Sequence, residues 1–146
     1  PRSAEIRYNL ALAYSDLGDW ENALKQYQRI VQWEPQNPKG YFHLAKAYAK
    51  LKNYDRAWEA LQQAHQRDPS ASQDLLAIGD LMYDQRGFEM AKKVYEMALT
   101  TGKDPAKIHH KLGLCYQALG QPEPARKEYE ESKKTEISPK AKQNQH

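Results

Sequence analysis

The chain has 146 residues, 40% of them hydrophobic and 28% charged, with a formal net charge of +3. That length is one domain's worth, and the composition fits a soluble helical protein. It holds no apolar run of membrane-span length, and its single cysteine permits no internal disulfide.

The first helical pattern covers 4–17, Gly18-Asp19 forms the turn with Asp19 as expected N-cap, and a second pattern covers 20–33. Asn37-Pro38 opens the next helix, since proline is tolerated in a first turn. Gly40 to Pro69 then holds two patterns at three- and four-residue spacing. Tyr41, Leu44, Ala45, Tyr48 and Leu51 make one; Tyr54, Ala57, Leu61 and Ala64 make the other, and Lys52-Asn53 joins them. Ser70 with Gln73 has capping-box spacing ahead of the next helix. Arg86-Gly87 is the third turn, Gly102 to Pro105 ends that unit, and Gly120-Gln121 turns the fourth. The last helix, Glu123 to Glu136, is dominated by charge, and residues 140–146 are expected to form a polar flexible tail.

Shifted against itself by 34 residues, the sequence repeats. Leu10, Leu44, Ile78 and Leu112 align; so do Ala11, Ala45, Gly79 and Gly113; so do Tyr27, Leu61, Tyr95 and Tyr129. Four repeats result, 4–37, 38–71, 72–105 and 106–139, within one domain at 1–139. The alanines and glycines sit where helices approach most closely, and the large side chains fill the space on either side. Such units contact only their neighbours, so the domain is expected to be elongated and stabilised repeat by repeat.

The recurring residues, in strict register over nearly the whole chain, resemble the tetratricopeptide repeat (TPR) family. The closing proline departs from the pattern: Pro35 and Pro69 are followed by Pro105 and Pro139, two residues late. Pro122 and Pro124 stand where a large apolar residue usually opens the second helix. The resemblance implies an all-α fold, an α-solenoid of four tandem helix-turn-helix repeats forming a right-handed superhelix.

Phosphate loops, nucleophile elbows and zinc-type Cys/His spacing are absent. His109 and His110 are adjacent and diverge on a helix. Cys115 aligns with packing positions, and Met82, Met90 and Met97 have core spacing. The expectation is no enzyme, no metal and no cofactor. By repeat, basic against acidic residues number three to five, six to three, four to six and six to five. That alternation speaks against a continuous nucleic-acid track, so RNA binding is the weakest function class.

In the family, the first helices of successive repeats line a concave groove that binds a peptide or a partner's helix. Carried over, the groove holds Tyr8, Asn9 and Leu12; Lys39, Phe42, His43, Lys46 and Lys50; Asp80, Tyr83 and Asp84; and Lys107, His110 and Lys111. Tyr8, Phe42 and Tyr83 are expected as exposed apolar anchors, Asn9 and His43 as hydrogen-bonding groups, and the lysines as steering groups for a ligand with an acidic segment. Asn9 and Lys39 match two of the five residues of the family's carboxylate clamp, and His43 stands where arginine is expected, so a complete clamp is not expected.

The leading function is therefore a non-catalytic scaffold or adaptor for another protein or peptide. A structural self-association module is the alternative, because α-helical residues Ile6 and Leu12 place apolar surface beyond one core-facing stripe at the first repeat. A soluble protein without membrane insertion is expected, the cytoplasm being favoured. The chain begins at Pro1, which leaves a processed or anchored form open.

Overall fold

Four of the helices end at the turns that the sequence places within each repeat. In the computed structural model, which describes the backbone of residues 2–143 and the side chains of 3–136, residues 18, 52, 86 and 120 all have positive φ, at 76°, 60°, 67° and 72°. After each, the chain makes the same pair of bonds. In the first, the Gly18 N–H donates to Ser15 O and the Asp19 N–H to Tyr14 O; in the second, Lys52 to Ala49 and Asn53 to Tyr48. Arg86 and Gly87 repeat it on Tyr83 and Met82, and Gly120 and Gln121 on Gln117 and Tyr116. This Schellman closure satisfies carbonyls that a helix end leaves open.

Eight α-helices result among the described residues: α1 (Arg2–Asp16), α2 (Trp20–Trp33), α3 (Pro38–Lys50), α4 (Tyr54–Arg67), α5 (Gln73–Asp84), α6 (Phe88–Leu99), α7 (Pro105–Ala118) and α8 (Pro122–Gln143). None is long and apolar enough to cross a membrane. Asp19, Asn37 and Asn53 cap α2, α3 and α4, each side chain accepting a backbone N–H. Ser70 does not cap α5. Its N–H and hydroxyl both donate to Asp68 Oδ1, at 3.3 and 2.8 Å, so the turn consumes it and the helix starts at Gln73. Pro122 and Pro124 lie in the first turn of α8, where missing N–H groups cost no intrahelical bond. Residues 144–146 of the expected tail lie outside the described residues.

The helices form two units, Pro1–Asp74 and Leu75–His146. In the first, α1 packs on α2, α2 on α3 and α3 on α4. Ala11, Ala23, Tyr27, Ile30, Ala45, Ala57, Leu61 and Ala64 are buried there. Arg67 ties the end of α4 back to the α2–α3 loop: it donates to Pro35 O and lies 4.3 Å over the Tyr41 ring, while the Tyr41 hydroxyl donates to the same carbonyl.

In the second unit α6 packs on α7 and α7 on α8. Here glycine is required. A Cβ on Gly79 would lie 2.6 Å from Tyr95 Cε1, and one on Gly113 would lie 2.4 Å from Tyr129 Cε1. The tyrosines occupy the space those side chains would take. The Tyr95 hydroxyl donates to Asp80, and the Tyr129 hydroxyl donates to Gln117 Oε1 at 2.7 Å. Across α7 and α8, His109 Nδ1 meets Glu128 Oε2 at 2.7 Å, and Ser132 donates to Ala106 O at 2.7 Å.

Candidate functional site

The expected site positions lie on α1 and α3 in the first unit and on α5 and α7 in the second. Lys39, Lys46 and Lys50 project from α3, all exposed. The Lys39 ammonium lies 5.6 Å from the Tyr8 ring centroid, and Lys46 and Lys50 lie 6.0 and 5.5 Å from that of Trp20. A ring face attracts a cation without neutralising it. Among the described residues none of these lysines makes an ion pair, so their charges remain available to a ligand.

His43 sits behind them. Its ring stacks on Tyr27 at 5.1 Å and 7°, and Tyr8 meets it edge-on at 6.0 Å. Burial, then Lys39 and Lys46, push its pKa down. The imidazole is therefore neutral at pH 7 and keeps one nitrogen as an acceptor. Tyr8 is half-buried, and its hydroxyl is fully covered without a hydrogen-bond partner. Burial, with the nearby Glu34 and Tyr27, pushes that phenol up to about 12. Asn9 and Leu12 are exposed on α1.

Phe42 corrects the expectation. It is 7% exposed and belongs to the core. On α3 it continues the stripe of Ala45 and Ala49, three and seven residues on, which are completely buried. It cannot anchor a ligand. Trp20, conversely, looks in sequence like a packing residue opening the second helix, yet its half-buried ring carries two lysines. The only sequence signal is Lys46 and Lys50 at i,i+4, one face of α3; nothing in it pairs them with Trp20.

In the second unit two of the expected charges are committed to each other. Lys111 Nζ donates to Asp80 Oδ1 at 2.8 Å, and the same carboxylate accepts from the Tyr95 hydroxyl. Burial and that carboxylate raise the Tyr95 pKa. Lys111 also lies 5.8 Å over the Tyr95 ring. Asp80 and Lys111 thus cancel each other, contrary to the expectation that each would meet a ligand. Tyr83 packs edge-on against Phe88 at 5.2 Å and is half-buried. Asp84, Lys107 and His110 are exposed, His110 lying 5.4 Å from the Tyr129 ring. An open depression of about 720 Å³ adjoins the start of α7, lined by Lys107, His110, Lys111 and Leu114 with Ser132 and Thr135 of α8.

Cys115 is buried, and its thiol pKa is pushed up to about 11 by desolvation, so it is a packing residue and not a nucleophile. Among the described residues no group of three His, Cys, Asp or Glu could hold a metal ion. Ile6 is 65% exposed and Leu12 41%, two apolar side chains that α1 leaves open.

Tetratricopeptide repeat models match residues 14–78 and 106–135. The chain is similar to the BBSome complex member BBS4 of Bos taurus, at 25% identity over 68% of this chain and 19% of that protein. It is similar to the protein O-mannosyl-transferase TMTC1 of Mus musculus, at 28% identity over 92% and 15%. It is also similar to the mitochondrial import receptor subunit TOM70 of Homo sapiens, at 26% identity over 87% and 21%. The chain therefore spans about a fifth or less of these relatives. Among solved structures, MamA matches with a TM-score of 0.71 at 21% identity, covering 95% of this chain and 75% of that one. PilF of Pseudomonas aeruginosa matches at 0.61 and 21% identity, covering 90% and 60%. Those likenesses show the fold.

Proposed function

The chain belongs to the tetratricopeptide repeat family, and on that premise we propose that it is a non-catalytic adaptor whose α1/α3 face docks an acidic segment of another protein. One observation carries this reading: Lys39, Lys46 and Lys50 stand exposed along one helix, unpaired among the described residues and backed by Tyr8 and Trp20. A carboxylate entering between them exchanges water for charge-assisted hydrogen bonds. The aromatic rings offer apolar contact beside it, and neutral His43 supplies a hydrogen-bonding group. Asn9 can hold a ligand's backbone through its amide, which both donates and accepts.

The names of the similar proteins fit an assembly role, one being a complex member and another an import receptor subunit. A third is a transferase, but this chain matches only 15% of its length. The second unit contributes less charge recognition, because Asp80 holds Lys111.

The test is a peptide array of acidic 12-residue segments beside copies with Asp and Glu changed to Asn and Gln. The wild-type chain should prefer the acidic set. Lys39→Glu with Lys46→Glu should abolish that preference, weakening binding by about tenfold or more. Both sites are exposed, so folding stability should change by less than about 1 kcal/mol. Equal preference in the double variant rejects the α1/α3 face as the docking site.

A further inference from the structure

The lysine row of α3 contains a titratable member. Lys39, His43, Lys46 and Lys50 lie at i, i+4, i+7 and i+11, so all four share one side of the helix. Lys39 and Lys46 are two turns apart, about 10 Å along the axis, with His43 between them. A carboxylate bridging those two lysines therefore passes the imidazole, which is itself partly exposed.

Two rings fix the imidazole in that place. Tyr27 of α2 stacks flat on it at 5.1 Å and 7°, and Tyr8 of α1 meets it edge-on at 6.0 Å. Among the described residues no side chain bonds its ring nitrogens. The groups around it weigh against a proton. Burial pushes its pKa down, Lys39 and then Lys46 push it further, and Asp74 at the start of α5 pulls it only part of the way back. The neighbours on α1 and α2 are phenols that burial keeps protonated, Tyr8 with Glu34 nearby and Tyr27 with Asp16 nearby. The buried residues of α4 are Ala57, Ala60, Leu61 and Ala64, none of which titrates. With the face empty, two like charges stand beside the imidazole. A docked carboxylate offsets them and gives an imidazolium an acceptor. An opposite charge within about 4–6 Å raises a histidine's proton affinity by about tenfold or more.

We propose that His43 makes this face a proton-linked receptor: an acidic segment docked between Lys39 and Lys46 draws a proton onto the imidazole, and the segment is held more tightly as the medium becomes acidic. The inference rests on the docking reading above and adds its regulation. Proton and segment favour each other equally, because the coupling is reciprocal. The occupied face takes its proton at a higher pH than the empty one. Above both titrations neither form holds it, and affinity is flat. Affinity rises as pH falls through the occupied face's titration, and levels off once the empty face is protonated too. An aspartate-bearing ligand keeps its own charge down to about pH 5, so the rise is not masked by loss of ligand charge.

The probe is a capped (Asp-Ser)6 peptide beside its (Asn-Ser)6 twin, titrated at pH 7.5 and pH 5.5 into the full chain carrying isotope-labelled histidine. The Asp peptide should bind about three- to tenfold more tightly at the lower pH. The His43 ring should titrate at higher pH with that peptide present, while His109, held by Glu128, serves as the internal reference. His43→Gln should bring the ratio of the two affinities to about one. The ring titration is read on the wild type, so it decides the matter even where the variant folds poorly. Acidic preference with equal affinity at both pH values, a His43 titration that the peptide does not move, or a pH dependence that survives His43→Gln overturns the proton link and leaves the docking reading standing. No preference for the Asp peptide at either pH overturns both.

Discussion

Replacing Gly79 by alanine should destabilise the second unit, although alanine is the better helix former. The added Cβ would sit 2.6 Å from Tyr95 Cε1 and 3.0 Å from Cδ1, roughly 1 Å inside an ordinary carbon–carbon contact. Tyr95 is 2% exposed, its hydroxyl is held by Asp80, and Lys111 lies over its ring. The ring therefore cannot move aside, and α5 and α6 must separate. Overpacking of this kind costs about 1–3 kcal/mol, offset by about 0.5–1 kcal/mol from replacing a helical glycine. The difference spans about 0–2.5 kcal/mol; with the ring locked in place the expected net loss is about 1–2 kcal/mol, read as a lower urea midpoint at unchanged slope. The second repeat already contains a remedy, because Ala45 stands there with Leu61 in the partner position. Gly79→Ala combined with Tyr95→Leu should be less destabilised than the two single variants together, with a coupling of about 1 kcal/mol. A neutral or stabilising Gly79→Ala, or strictly additive effects, would refute the packing account. Gly113→Ala is the internal control. Its Cβ would lie closer to Tyr129, at 2.4 Å, but that ring is half-buried and its hydroxyl ends on exposed Gln117, so it can swing outward and the loss should be smaller.

Other consequences are open to measurement. Lys52→Gly and Arg86→Gly should each stabilise by about 0.5–1 kcal/mol. Both residues are held at positive φ, where an L-residue is strained by about 1–2 kcal/mol, and glycine's greater freedom in the unfolded chain returns part of the gain. Lower urea midpoints for both would contradict it. His43 should make stability pH-dependent. Its folded pKa is depressed by burial and by two lysines, so the unfolded chain takes up the proton first as pH falls through the ordinary histidine range. Stability should drop there and level off once folded His43 is protonated, with a flatter profile for His43→Gln; superimposable profiles would count against it.

Much of the fold was legible in the sequence because it rests on local rules repeated four times. The 34-residue period, the helix order and the αL turns at 18, 52, 86 and 120 depend on backbone hydrogen bonds between residues close in the chain. So does the expected cap at Asp19; Asn37 and Asn53, read only as a helix start and part of a turn, cap their helices by the same local bond. Ser70 failed as a cap because Asp68, two residues away, competed for the same hydroxyl. The site was less legible because its determinants lie between helices. Residues 15 and 31 positions apart meet at Asp80, where Tyr95 and Lys111 converge and remove two expected ligand contacts. Tertiary packing alone set Trp20 beneath Lys46 and Lys50, buried Phe42, and left Leu10 bare at a position that Leu44 and Leu112 keep covered. Periodicity tells which side of a helix is apolar, but whether a neighbour comes to cover it depends on what is packed there.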